Sequence, residues 1–116
     1  MEIGDEQVGE TRVIAPRGRI DSVSSSELER HLVARLDGGA RRVVIDLAGV
    51  EYVSSAGLRV LLIAAKRLKP PAGSLVLCGL GPAVRTVLEL AGFISLFAVE
   101  PARAQALARL EAKTAS

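Results

Sequence analysis

The chain has 116 residues, of which 49% are hydrophobic and 24% charged, with a formal net charge of +2. One domain fits that length, and the apolar fraction can offset the entropy of ordering the backbone, which excludes a disordered chain. Fifteen Lys and Arg are interspersed with thirteen Asp and Glu, and Tyr52, Phe93 and Phe97 are the aromatic residues, so the clustered charge and stacking platforms of a nucleic-acid binder are missing.

Residues 2–8 and 12–16 carry the β-branched residues of two strands, with Gly9-Glu10 as the turn between them. Gly18-Arg19-Ile20-Asp21 leads into a serine-rich run in which Ser24 and Glu27 have capping-box spacing. A helix is predicted from there to about Leu36, with Leu28, Leu32 and Leu36 on one face and Asp37-Gly38-Gly39 as its stop. The consecutive Val43-Val44-Ile45 within residues 42–47 predicts a central parallel strand buried on both faces. Residues 48–53 read as a connection ending at Ser54-Ser55. Leu58, Leu61, Leu62, Ala65 and Leu68 then recur at helical spacing until Pro70-Pro71. A strand at 74–78 follows, and Gly79-Leu80-Gly81-Pro82 opens a helix with Val84, Val87, Leu88 and Ala91 inward. Gly92 closes it, residues 94–99 read as a short strand, and Pro101 starts a last helix with Ala106, Leu107 and Leu110 inward. The alternation implies a single α/β domain over 1–116, parallel after its opening strands.

Several chemistries drop out at once. One His and one Cys cannot build an ordinary zinc site, so no metal and no cofactor are expected. Cys78, in an apolar run, reads as a small buried hydrophobe, and a lone cysteine suits a reducing cytoplasm. His31 falls in a helical pattern as a surface or boundary residue. No apolar run approaches the ~18–20 residues of a membrane span, and the acidic start lacks the order of a signal peptide.

The junction Tyr52-Val53-Ser54-Ser55-Ala56-Gly57-Leu58 joins the end of a strand region to a helix start. A serine there can cap the helix, or it can carry a phosphate that the helix dipole and free amides receive. A hydrolase elbow would need glycine where Val53 stands, and His31 as its base. A phosphate loop at Gly79-Leu80-Gly81-Pro82 lacks the third glycine and the Lys-Ser/Thr pair.

Gly18-Arg19-Ile20-Asp21, Val43-Val44-Ile45-Asp46-Leu47, Val50 to Leu58, Gly81-Pro82-Ala83-Val84 and Ala91-Gly92-Phe93 together resemble the STAS domain. That family is named for sulphate transporters and anti-sigma factor antagonists. The likeness runs from Met1 to about Leu110, and its most specific stretch is 46–62. It implies a mixed, mostly parallel β-sheet with about four α-helices packed on it. It also implies a bacterial partner-switching antagonist, a binding protein and not an enzyme. The unmodified domain would bind an anti-sigma factor that is itself a serine kinase, which phosphorylates it, and a PP2C-type phosphatase would reset it.

The family's phosphoacceptor position falls on Ser55, with Ser54 as the alternative. Asp21 matches an acidic position near the acceptor, although a turn or helix-start role suits it equally. Ser54, Ala56, Gly57, Leu58 and Arg59 complete the surroundings. Ser54 stands where the family often has Asp, and Ala56 where a second hydroxyl is common. The form Ser54-Ser55-Ala56-Gly57-Leu58-Arg59 resembles a variant found among antagonist-type members. The two departures leave open the rival of an unphosphorylated STAS scaffold, sensor part or lipid-transport subunit. A cytoplasmic monomer is expected, with neither nucleic-acid nor membrane partners.

Overall fold

A computed structural model describes residues 1–115, with side chains through residue 112. Its backbone opens with β1 (Glu2–Val8) and β2 (Thr11–Ile20), an antiparallel hairpin turned at Gly9, whose φ of 60° suits a residue without Cβ. The second strand outruns the expected 12–16. Its tail, Gly18 to Ile20, is ordered by a second partner, β4 (Val50–Val53), through the parallel pairs Gly18↔Val50, Arg19↔Tyr52 and Ile20↔Val53. The stretch expected to be a plain connection is therefore partly a strand, too short for its periodicity to show in sequence.

Between them lie α1 (Ser24–Asp37) and β3 (Arg42–Asp46). After β4 come α2 (Ser55–Arg67), β5 (Ser74–Cys78), α3 (Pro82–Leu90), β6 (Ala98–Glu100) and α4 (Arg103–Ala115). The strands run β1-β2-β3-β5-β6 across the sheet, parallel from β2 onward, with β4 paired to β2. The expected mixed, mostly parallel sheet with four α-helices is thus observed among the described residues. The strand expected over 94–99 is instead a 3-10 turn, Ile94–Leu96, followed by β6, because only Ala98 to Glu100 reach β5.

The run Val43-Val44-Ile45 explains the layering. Side chains alternate across a strand, so Val43 and Ile45 join Leu28, Leu61 and Leu88 from α1, α2 and α3, whereas Val44 joins Ala106 and Leu110 from α4. Cys78, fully buried, lies on the α4 side. Burial and the neighbouring Asp46 charge push its thiol up to about 12, which removes it from nucleophilic chemistry. On the helices, Leu58, Leu61 and Leu68 are buried as expected, but Leu62, Ala65, Val87 and Leu107 are half-buried and Ala91 is exposed. A period of 3.6 carries those positions to the edge of the buried stripe.

Polar interactions fasten the layers. The Ser24–Glu27 capping box does not form: Ser24 is already the first helical residue, and Glu27 instead accepts from the Met1 ammonium at 2.7 Å. Asp46 accepts from the Ala48 amide at 3.0 Å and from Arg103 Nε at 2.9 Å, while Arg103 Nη1 also donates to Glu6 at 2.6 Å. One guanidinium thereby ties the start of α4 to β3 and β1. On the other side, Asp5 accepts from Arg12 at 2.8 Å and Arg35 at 2.7 Å and is bonded to His31, joining β1, β2 and α1.

Burial pushes the Asp5 carboxyl up, but the bonds from Arg12, Arg35 and His31 outweigh it and hold the group below the ordinary carboxylate range. A lowered carboxyl contributes stability above its unfolded value of about 4 and loses it as pH falls through the folded value. Asp5→Asn is expected to cost about 2 kcal/mol at neutral pH. It should also flatten the loss of stability below about pH 4, as urea titrations at neutral and acid pH would measure.

Candidate functional site: the β4–α2 junction

Ser54 caps α2. It keeps extended backbone (φ −82°, ψ 173°), its Oγ accepts from the Gly57 amide at 3.2 Å, and its carbonyl accepts from the Leu58 amide at 2.9 Å. Its own amide donates to the Ile20 carbonyl at 2.8 Å, which holds the helix start against the end of β2. Ile20 is in turn the last residue before the loop that carries Asp21.

Glycine at position 57 is a packing requirement. A Cβ there would stand 2.7 Å from Ile20 Cγ2 and 2.9 Å from Val53 Cγ1, so any side chain would lift the first turn of α2 away from the strands. Leu58 is buried beside it. Both residues lie inward and shape the turn, while Ala56 is half-buried and Arg59 is exposed, donating to Glu29 of α1 at 3.2 Å.

The capping role considered for the junction therefore falls on Ser54, and it leaves Ser55 free. Ser55 is the first residue of α2, exposed, and its hydroxyl has no hydrogen-bond partner among the described residues. The amides of a first helical turn have no carbonyl one turn back to meet, and they carry the positive end of the dipole. No acidic residue lies in that turn to occupy the field.

Asp21 sits on the adjoining loop, exposed. Its Oδ1 accepts from the Ser24 amide at 2.9 Å, the Ser24 hydroxyl at 3.1 Å and the Val23 amide at 3.0 Å. The bonds from Ser24 hold its carboxyl below the usual range. The turn-forming role is thus observed, and the same bonds keep a fixed negative charge next to the strand end that supports Ser54.

Two neighbours were not anticipated from sequence. Val23 is 73% exposed in the Asp21 loop. Tyr52, on the strand leading to Ser54, lies under the Arg19 guanidinium, 4.5 Å from the ring centroid. Val23 carried a usable signal, an apolar residue inside a serine run. The Arg19–Tyr52 pair carried none, since it exists only through the parallel register of β2 and β4.

The enzyme readings find no support in this geometry. His31 is bonded to Asp5 on β1 and makes no bond to Ser55. Where a Cβ of Gly79 would stand, Ala48 and Asp46 Oδ1 lie 3.0 Å away, so that turn packs on a carboxylate and does not cradle a phosphate. The described residues contain no cluster of potential metal ligands, and no helix among them is long and apolar enough to cross a membrane.

Residues 3–106 match the STAS domain family. BtrV of Bordetella bronchiseptica, a protein assigned as an anti-sigma factor antagonist, is 43% identical over 108 residues, 93% of this chain and 93% of that one. An anti-sigma factor antagonist from Mycobacterium paratuberculosis has a similar structure, with a TM-score of 0.87 at 28% identity over 95% of this chain and 93% of its own. The phosphorylated form of SpoIIAA from Bacillus shares the fold, with a TM-score of 0.73 at 21% identity over 94% and 99% of the two chains.

The division of labour between the two serines is measurable. Ser54→Ala is expected to cost about 1 kcal/mol through loss of the cap. Ser55→Ala should stay within about 0.5 kcal/mol of the parent, as an exposed hydroxyl without a partner would. Paired chemical denaturation curves compare them.

Proposed function

The chain belongs to the STAS domain family, and from that premise we propose that it is an anti-sigma factor antagonist switched by phosphorylation of Ser55. In its unmodified form it binds an anti-sigma factor that is also a serine kinase, and the kinase's former target is released. The kinase transfers the γ-phosphoryl group of ATP to Ser55 Oγ; ADP leaves, and the hydroxyl proton passes to a base of the kinase. A PP2C-type phosphatase then hydrolyses the phosphoester and restores binding. The chain is substrate and ligand in this cycle and not the catalyst, and it acts as a cytoplasmic monomer.

One observation carries the choice of Ser55: an exposed hydroxyl, unbonded within the described residues, at the first position of a helix with no acidic residue in its first turn. Ser54 is the weaker acceptor, because its oxygen already serves the Gly57 amide and is half-buried. The relative identified as phosphorylated SpoIIAA shows that this fold accommodates the modified state in that protein. Here the helix terminus would stabilise the added charge, so the domain stays folded while its surface changes.

The surface itself fits a docking role. Exposed Val23 and Tyr52 offer apolar contact, Arg19 and Arg59 offer positive charge, and Ser55 lies at the same helix-start region. A phosphate there introduces about −1.5 to −2 charges at an interface built without them. Asp21 adds a fixed negative charge nearby and increases that repulsion.

Incubation with ATP and an anti-sigma factor kinase should place one phosphate on Ser55 by mass spectrometry, in Ser54→Ala but not in Ser55→Ala. Ser55→Asp is expected to weaken binding to that kinase about tenfold or more, or about 1.4 kcal/mol, by calorimetry. Phosphate on neither serine, with binding to the kinase unaffected by Ser55→Asp, would overturn the switch and leave an unphosphorylated scaffold.

A further inference from the structure

Ser55 lies beyond the C-terminal ends of β2 and β4. At the opposite end of the parallel strands, where β2 and β3 begin, a concavity of about 360 Å³ is lined by Gln7, Glu10, Arg12, Arg35, Arg41 and Arg42. Four guanidiniums from two strands, a helix and a loop converge on it.

The fold supplies two carboxylates against those four cations. Asp5 accepts from Arg12 at 2.8 Å and Arg35 at 2.7 Å, and it is also bonded to His31; Glu10 accepts from Arg42 Nη1 at 3.1 Å. Arg41 is exposed and has no ion pair among the described residues. Arg12 Nε is enclosed and has no acceptor among the described residues. Each guanidinium has five N–H donors, so one or two bonds to a carboxylate leave most of them unspent.

These arginines are also held in place. The bonds to Asp5 and Glu10 orient Arg12, Arg35 and Arg42 before any ligand arrives, so little side-chain entropy remains to be lost on binding. Planar guanidiniums match phosphate oxygens two at a time, where an ammonium would act only as a point charge. No aromatic side chain lines the concavity, so nothing there stacks on a base. Recognition would rest on the phosphate alone.

We propose that this concavity is a binding site for a small phosphate-bearing anion of the pyrophosphate or phosphomonoester class, at the far end of the strands from Ser55 and independent of phosphorylation there. Arg41 is the probing position, since it is exposed and carries no internal ion pair that its removal would break.

Nuclear magnetic resonance titration of the full chain with pyrophosphate, and separately with ribose 5-phosphate, at constant ionic strength tests the site. Saturable shifts are expected in residues 10–12 and 35–42, with Ser55→Ala behaving as the parent. Arg41→Ala should weaken binding about tenfold, and Arg41→Lys should restore only part of the loss. A stronger response to pyrophosphate than to the sugar phosphate, or the reverse, assigns the class and supports the site either way. Unsaturable shifts, equal shifts with chloride, affinity unchanged in Arg41→Ala, or tighter binding of an acidic glutamate peptide would each overturn the proposal.

Discussion

The amide of Ser54 donates to the carbonyl of Ile20, and the absent side chain of Gly57 lets the first turn of α2 settle onto Ile20 and Val53. That seam fixes where the helix begins. Because Ser54 spends its oxygen on the cap, the following hydroxyl projects without a bond from the positive end of the helix. Ile20 can act as the seat only because β2 extends to it, and β2 extends because β4 pairs with its tail. Under the proposed switch, docking surface, acceptor and scaffold share one piece of geometry, and a charge added at Ser55 would alter the surface without loosening the core.

Arginine performs a second kind of work at a distance from that seam. Arg103 spans Asp46 and Glu6 and clamps α4 to the sheet, whereas Arg12 and Arg35 share Asp5 between β1, β2 and α1. Asp5 and Asp46 are largely enclosed and paired, as buried charge must be, whereas Glu6 remains exposed to solvent. Where the cations outnumber the carboxylates, at the start of β2 and β3, the surplus forms a concave basic surface. The two ends of the parallel strands thus differ in character: one presents a hydroxyl at a helix start, the other a set of oriented guanidiniums.

Two residues that the STAS resemblance places at the junction have a packing reason there. Gly57, which the resemblance places in the acceptor turn, has a steric reason to be glycine, and Leu58 anchors the turn in the core. The departures from the family pattern also have local consequences. Ser54 supplies the cap by hydroxyl rather than by a carboxylate, so the site carries one fewer negative charge beside Ser55. Ala56 leaves no further hydroxyl directly after Ser55. Asp21 retains its charge but commits its Oδ1 to Val23 and Ser24.

What the sequence by itself determined was the order and burial of the main elements. Val43-Val44-Ile45 announced a strand covered on both faces, and the leucines of α1 and α2 announced their buried stripes, because side-chain period is a local property of the backbone. The serine junction was likewise readable, since strand end, hydroxyls and glycine are adjacent along the chain. Tertiary structure alone decided which serine caps and which is free, that Val50–Val53 is a strand, and that Glu27 meets the Met1 ammonium and not its own helix start. It also decided that Arg19 covers Tyr52 and that Arg12, Arg35, Arg41 and Arg42 line one hollow. Those outcomes depend on register and on contacts between residues far apart in the chain, and no local period encodes them.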